Sequence, residues 1–425
     1  MSGSWVRNLI VASALAFTIY LGFGLILPLF PSYVLLLGGG GTEVGILLAS
    51  FMLTRAFLAR PFGKLSDRIG RKKVIIAGMF TYSVLAYLFT LPDSWFGLVF
   101  VRLLQGAASA MVWPVGEALV VDSSPREKRS RAISIYMIIS NIGFIAGPFI
   151  GSGIQFMARY GLHMSELGSV RMPFYFTSII SLVGAVIGLI MLRDALPVLK
   201  DLRVRHQEMQ RSLRRLRPRI KRSLYFLYSN SLFEGLSWSL GSAVMFLFMD
   251  EVFNMPNEVF SILFGLSQAV GLVFVLPSGV LSDRSRKKPF VVYGSLTSKL
   301  STIIMSLTPL MPLGYLLAWL FFAGKDTGRQ IATLATRSLQ ADLSPVRIRG
   351  RLIATIQAYS NVGALIGALA GGFIWDHTHD RYFDLAFMDL PGYTVPFLFS
   401  ALMGTIAALL VLRYVHEPAK GREVG

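Results

Sequence analysis

Apolar residues come in runs of about 20, separated by short polar stretches, along the whole chain. A helix of that length crosses about 30 Å of hydrocarbon. Twelve runs can be marked: 8–37, 43–62, 74–92, 95–121, 131–158 and 173–192, then 223–250, 256–280, 289–308, 311–338, 350–375 and 392–414. The first, from Leu9 to about Leu37, outruns a signal h-region and has no convincing cleavage site, so it reads as a span. The pattern predicts an all-α polytopic membrane protein.

The polar stretches differ systematically. Lys64, Arg68, Arg71, Lys72 and Lys73 follow span 2, and Arg126, Lys128, Arg129 and Arg131 follow span 4. Arg284, Arg286, Lys287 and Lys288 follow span 8, and Arg337, Arg347, Arg349 and Arg351 follow span 10. The alternate loops, such as 38–42, 251–257 and 376–391, hold few basic residues and several acids. Basic loops stay on the cytoplasmic side, so every even-numbered loop and both termini are expected inside, with the chain in the plasma membrane.

Segment 193–222 adds eleven Lys and Arg and divides the chain into 1–192, a linker and 223–425. Its apolar positions Leu199, Leu202, Met209, Leu213, Leu216 and Ile220 fall largely at helical spacing, with Arg203, Arg205, Arg211, Arg214 and Arg215 between them. An amphipathic helix on the anionic cytoplasmic leaflet fits this, and so does a solvated linker.

The 425 residues have a mean hydropathy of +0.59, 15% charged residues and a formal charge of +18. The basic residues sit between spans without base-stacking aromatics, so topology accounts for the charge and nucleic acid is not implied. With no Cys and five scattered His, disulfides and thiolate sites are excluded and a His-built metal site is disfavoured. The chain shows neither a G-x-x-x-x-G-K-[ST] loop nor H-E-x-x-H, and no cofactor is called for.

The two halves repeat each other. "GKLSDRIGRKK" (63–73) returns as "GVLSDRSRKK" (279–288), with Asp67 on Asp283 and Gly63 on Gly279 at an offset of 216. "VDSSPREKRSRA" (121–132) matches "ADLSPVRIRGRL" (341–352), and "SNIGFIAGPFIGSG" (140–153) overlays "SNVGALIGALAGGF" (360–373), both at an offset of 220. Three matches in order point to a six-plus-six parallel repeat.

With these residues in place the chain resembles the major facilitator superfamily, through the phrase after span 2, "RLLQG" (102–106), "GFIAGPFIG" (143–151) and "GLILPLFP" (24–31). The resemblance implies two pseudo-symmetric six-helix bundles, and the branch it looks like is the twelve-span drug:proton antiporters. Gly63 and Gly70 are expected to turn the backbone at the membrane edge, and Asp67 suits the positive end of a neighbouring helix. The resemblance places that neighbour near Arg349 to Leu352. It also pairs Arg71 with Asp122, groups Asp283, Lys287 and Asp342 in the echo, and includes Arg68 and Arg284 in a latch that opens during turnover.

Gly143, Gly147 and Gly151 form a flat strip for helix packing, and Pro148 removes one backbone hydrogen bond. The strip resembles an antiporter signature, although its usual final Gly is Ser152 and the second half has Ala368 for Pro; generic small-residue packing is the alternative. Arg102, inside span 4, is a candidate for proton relay or substrate handling, or else a structural ion pair. Gly106, Ser109, Trp113 and Glu117 follow it along one stripe, so Glu117 is expected on the same cavity.

Glu234, near the middle of span 7 with Trp238 one turn away, is a candidate proton carrier or half of a salt bridge. Span 10 holds Lys325, Asp326 and Arg329, which ask for partners or an anionic ligand, with Lys299 either in that network or snorkelling. Tyr20, Tyr136, Gln268, Gln357 and Tyr359 join Trp113 and Trp238 as candidate cavity groups. Arg55 in span 2 has no reading beyond a snorkel or an ion pair, and "WDHTHD" (375–380) reads as a polar external loop.

The function that follows is secondary transport of a small molecule by alternating access, as proton-coupled efflux, by a monomer. Proton symport or facilitated uptake of a sugar or organic anion is the alternative, and a membrane sensor or scaffold the remote one.

Overall fold

Backbone polar groups inside hydrocarbon must be satisfied within the segment, which forces the apolar runs into helices. The computed structural model describes residues 3–125, 128–194, 218–312, 314–343, 349–384 and 389–417. Among these, α1 is Gly3–Ile26, continued through a 3₁₀ turn at Leu27–Leu29 into α2, Phe30–Leu36. Then follow α3 Gly41–Ile69, α4 Arg71–Leu88, α5 Trp95–Ser123, α6 Arg129–Phe156 and α7 Glu166–Met191. The second half holds α8 Pro218–Leu247, α9 Asn257–Arg284, α10 Lys287–Leu307, α11 Gly314–Leu343, α12 Arg349–Thr378 and α13 Val395–Tyr414. With α1 and α2 taken as one span, the described residues form twelve long helical segments.

Ten of these are long and apolar enough to cross a membrane. The other two are α4 and α11, and charge sets them apart. Arg71, Lys72 and Lys73 open α4, and Lys325, Asp326 and Arg329 interrupt α11.

The chain divides into two compact units, Met1–Leu199 with Met255–Gly265, and Lys200–Asn254 with Leu266–Gly425. In the first, α1 packs on α6 and α7, and α4 packs on α5 and α7. In the second, α8 packs on α12 and α13, and α10 packs on α11 and α13. The pairings correspond helix for helix, as a duplication requires.

The closest of these pairings rests on glycine in both units. A Cβ at Gly143, Gly147 or Gly151 would stand 2.5 Å from the Phe17 carbonyl oxygen, 2.6 Å from the Gly24 carbonyl carbon and 2.7 Å from the Leu25 carbonyl oxygen. Gly363, Gly367 and Gly371 of α12 press on the carbonyls of Leu232, Leu236 and Leu240 of α8 in the same way. Ser152, where the strip departs from glycine, donates its buried hydroxyl to the Glu258 carbonyl at 2.8 Å.

At the end of the first unit remote from the basic loops, Arg171 ties three elements. Its Nε donates to Tyr33 Oη at 2.9 Å, and Nη2 donates to the Pro92 carbonyl at 2.8 Å and to Asp93 Oδ1 at 3.0 Å. Tyr33 donates onward to the Phe89 carbonyl at 3.1 Å.

Two expectations change, and a third lies mostly outside the described residues. Gly63 lies inside α3 and turns nothing, because α3 runs on to Ile69; the break falls at Gly70 alone, with φ +103°. "WDHTHD" is helical through Thr378, since α12 continues and an antiparallel pair, β1 Tyr382–Asp384 with β2 Asp389–Pro391, follows it. Of the linker, Arg193 and Asp194 are described and 218–222 belongs to α8; the remainder, 195–217, lies outside the described residues.

If backbone contact is what glycine permits at 147, Gly147→Val should cost about 1–3 kcal/mol, read as a lower thermal unfolding midpoint in detergent. Gly153→Ala, with nothing within 4 Å of its Cβ position, should hold or raise the midpoint, because alanine is the better helix former.

Candidate functional site

At the basic end of the first unit, Gly70 breaks the chain and sets Arg71 at the start of α4. Arg71 is buried, and its guanidinium uses three edges. Nε donates to Asp122 Oδ2 at 2.8 Å, Nη1 donates to Ser66 Oγ at 2.8 Å, and Nη2 lies 2.8 Å from both Asp67 Oδ1 and Asp122 Oδ2. A planar fork is needed for this, so lysine would not substitute. Arg68 lies exposed in the last turn of α3.

A carboxylate that sequence reasoning passed over completes the corner. Asp194, just beyond α7, accepts from the Lys72 backbone N–H at 3.3 Å and fills the space where a Cβ on Gly70 would stand. The second unit has the same device. Glu417, just beyond α13, accepts from the Lys287 N–H at 2.6 Å and the Lys288 N–H at 3.3 Å. Each unit thus places an acid on the positive end of its third span's helix. The signal was legible as an acid soon after the sixth span of each half.

In the echo, Lys287 Nζ pairs with Asp342, and Ser282 donates to the Gly279 carbonyl at 2.9 Å as Ser66 does to Gly63 at 2.8 Å. Arg284 closes α9, exposed. The side chains of Asp283 and of residues 349–351 lie outside the described residues.

The phrase "RLLQG" builds a cage. Arg102 is 1% exposed, with its guanidinium 4.0 Å from the Phe30 ring centroid and 4.2 Å from that of Phe51. Gly106 lets α3 approach until a Cβ would stand 2.5 Å from the Phe51 carbonyl oxygen, which brings Phe51 onto the guanidinium. Arg102 Nη1 donates to Gln105 Oε1 at 2.9 Å, and no salt bridge to Arg102 occurs among the described residues. Two desolvated cation–π contacts stand in for a counter-charge, at about 2 kcal/mol each. Arg102 therefore does not share a cavity with Glu117, because the rings close it off.

Glu117 is exposed at the other end of the α5 stripe. It lies within electrostatic range of Arg55 and Tyr136. Arg55 sits 4.1 Å from the Trp113 ring centroid, and Trp113 stacks on Tyr20 at 5.1 Å. The buried Tyr136 brings its Oη within 2.7 Å of a Cβ position on Gly116. Tyr20, Arg55, Trp113, Glu117 and Tyr136 thus form one aromatic wall carrying one carboxylate. Arg55, which the sequence left without a role, belongs to it.

In the second unit Glu234 is engaged at both oxygens. Ser295 donates to Oε1 at 2.5 Å, and Lys299 Nζ lies 3.2 Å from Oε2 while donating to Ser237 Oγ at 2.9 Å. Lys299 thus pairs with Glu234 and does not snorkel. Asp326, buried, accepts from Gln268 Nε2 at 2.8 Å and faces Arg329 Nε at 3.6 Å. Gln330 donates to Gln268 Oε1 at 3.2 Å, and Arg329 lies 5.9 Å from the Trp238 ring centroid. A cavity of about 20 Å³ lies among Trp238, Lys299, Lys325 and Arg329, roughly one water in size. Three cations against two carboxylates leave a net positive charge beside Lys325, which lies 4.7 Å from the Phe322 ring centroid. Gln357 donates to Asn361 at 3.2 Å, and Tyr359 stacks on Tyr228 at 5.5 Å, so their observed partners lie outside this cluster.

The sequence profile of the Major Facilitator Superfamily matches residues 12–325 and 227–425. Multidrug resistance protein 2 of Bacillus subtilis is 25% identical over 404 residues, which is 92% of this chain and 95% of that protein. Quinolone resistance protein NorA of Staphylococcus aureus is 32% identical over 178 residues, 42% of this chain and 43% of that protein. Among solved structures, a bacterial homologue of the human lysosomal transporter Spinster, inward-facing and unoccupied, superposes with a TM-score of 0.78 at 15% identity, covering 99% of this chain and all of that one.

Removing one partner of the Glu234–Lys299 pair strands the other. Fully buried pairs broken this way lose about 3–5 kcal/mol. Glu234 retains 27% side-chain exposure, so Lys299→Met should lose somewhat less, on the order of 2 kcal/mol. Adding Glu234→Gln should restore most of the loss; additive losses in the thermal unfolding cycle would show that the pair is not coupled.

Proposed function

The chain belongs to the Major Facilitator Superfamily, and on that premise we propose that this multi-pass membrane transporter exports amphipathic aromatic compounds in exchange for protons. The observation that carries the reading is the wall of Tyr20, Trp113 and Tyr136 with the exposed Glu117 upon it. Trp113 and Tyr136 are buried and back the half-buried Tyr20, and an aromatic face binds planar apolar solutes with little demand on their detailed shape. A carboxylate beside them holds either a cationic solute or a proton, and competition between the two is the elementary step of antiport.

The likeness to a protein named for multidrug resistance, over most of both chains, supports the same reading. In this account the Arg71 and Lys287 corners act as hinges at the basic end, which faces the cytoplasm by the positive-inside rule. Glu234 serves the frame, since Ser295 and Lys299 already occupy both of its oxygens.

A second reading rests on the net positive charge at Lys325. It favours an organic anion, carried in with protons. Direction separates the two. In proteoliposomes with an imposed pH gradient, ethidium should move against the protons. Movement of benzoate with the protons, and none of ethidium, would establish the second reading in place of the first.

A further inference from the structure

A groove of about 700 Å³ runs along α1 and α6 of the first unit, lined by none of the residues of the aromatic wall or of the Arg71 corner. Trp5, Leu9, Ser13 and Phe17 recur every four residues down its α1 side, with Ile135 and Ile139 on its α6 side. From Trp5 to Thr18 is about 20 Å of helix at 1.5 Å per residue. One leaflet of hydrocarbon is about 15 Å deep. The groove therefore spans a single leaflet.

Its polarity is confined to the mouth. Lys128 and the exposed Arg131 stand there, with Lys128 Nζ 5.4 Å from the Trp5 ring centroid. The neighbouring Arg129 turns away, donating to the Ser124 carbonyl at 3.4 Å. Below the mouth the walls are apolar except for two hydroxyls. Thr18 Oγ1 already donates to the Ala14 carbonyl at 2.9 Å, whereas Ser13, 1% exposed, has no hydrogen-bond partner for its Oγ.

We propose that this groove binds one anionic phospholipid of the leaflet at the basic end. Its phosphate lies between Lys128 and Arg131, one acyl chain lies along the α1–α6 stripe, and Ser13 donates to an ester carbonyl. Two cations above a leaflet-length apolar trough match the division of such a lipid into an anionic head and a long tail. Trp5 sits where a tryptophan favours the interface. A transported solute is a poorer match, because below the mouth the groove offers no charge to release it by. The site is independent of the transport reading and stands or falls separately from it.

Native mass spectrometry of the purified full chain tests this, with phosphatidylglycerol and phosphatidylcholine of identical acyl chains. The wild type should retain one phosphatidylglycerol about tenfold more readily than phosphatidylcholine, as two cations near an anionic head warrant. Lys128→Gln with Arg131→Gln should abolish the preference at an unchanged thermal midpoint, and Ala14→Trp, which fills the groove, should abolish retention of both lipids. Equal retention of the two lipids by the wild type, a step that needs no variant, would overturn the proposal. So would displacement of the lipid by inorganic phosphate, which would make the mouth a bare anion site, or by ethidium, which would make the groove part of the transport path.

Discussion

A charge placed inside hydrocarbon has to bring its own compensation, because the solvent supplies none. The buried charges of this chain meet that constraint in distinct ways. Lys299 and Glu234 compensate each other across helices, with Ser237 and Ser295 completing the set. Arg102 has no carboxylate partner among the described residues, and its guanidinium lies against two phenyl rings instead. Asp326 and Arg329 face each other one turn apart, with Gln268 holding the free carboxylate oxygen. Glu117 differs from these in being exposed, beside Arg55, Trp113 and Tyr136, and the proposed exchange assigns the solute to it.

Duplication supplies the frame on which these charges hang. The glycine strips of α6 and α12 bring backbone against backbone in both units, and the acids Asp194 and Glu417 cap the same helix end in both. The units then diverge in their polar interiors. The first carries an aromatic wall with one exposed carboxylate; the second carries a closed network with an excess of positive charge and room for a single water.

The spans were legible in the sequence because each is a local property, a run of apolar residues of the right length. Even α4 and α11 were found, although their charges set them apart from the rest. The repeat was legible for the same reason, since it needs only the order of residues. What escaped was long-range. Lys299 lies 65 residues from Glu234, and no spacing rule joins them. The cage around Arg102 draws rings from α2 and α3, far away in the chain, and only Gly106 hinted that α3 comes so close. Gly63 misled because glycine at a membrane edge favours a turn, whereas Gly70 alone met the need and left Gly63 within the helix.

In the proposed mechanism two carboxylates divide the labour: Glu117 exchanges a proton for the solute, and Glu234 holds the second unit together. Solute exchange at equal concentrations across a vesicle membrane requires no net proton movement, whereas accumulation against a gradient does. Both can be measured on the same proteoliposomes with labelled ethidium. Glu117→Gln is predicted to keep equilibrium exchange while losing accumulation driven by a pH gradient, by tenfold or more for a positioned proton-transfer group. If Glu117→Gln accumulates solute as well as the wild type, and Glu234→Gln is the variant that exchanges but fails to accumulate, the division is wrong.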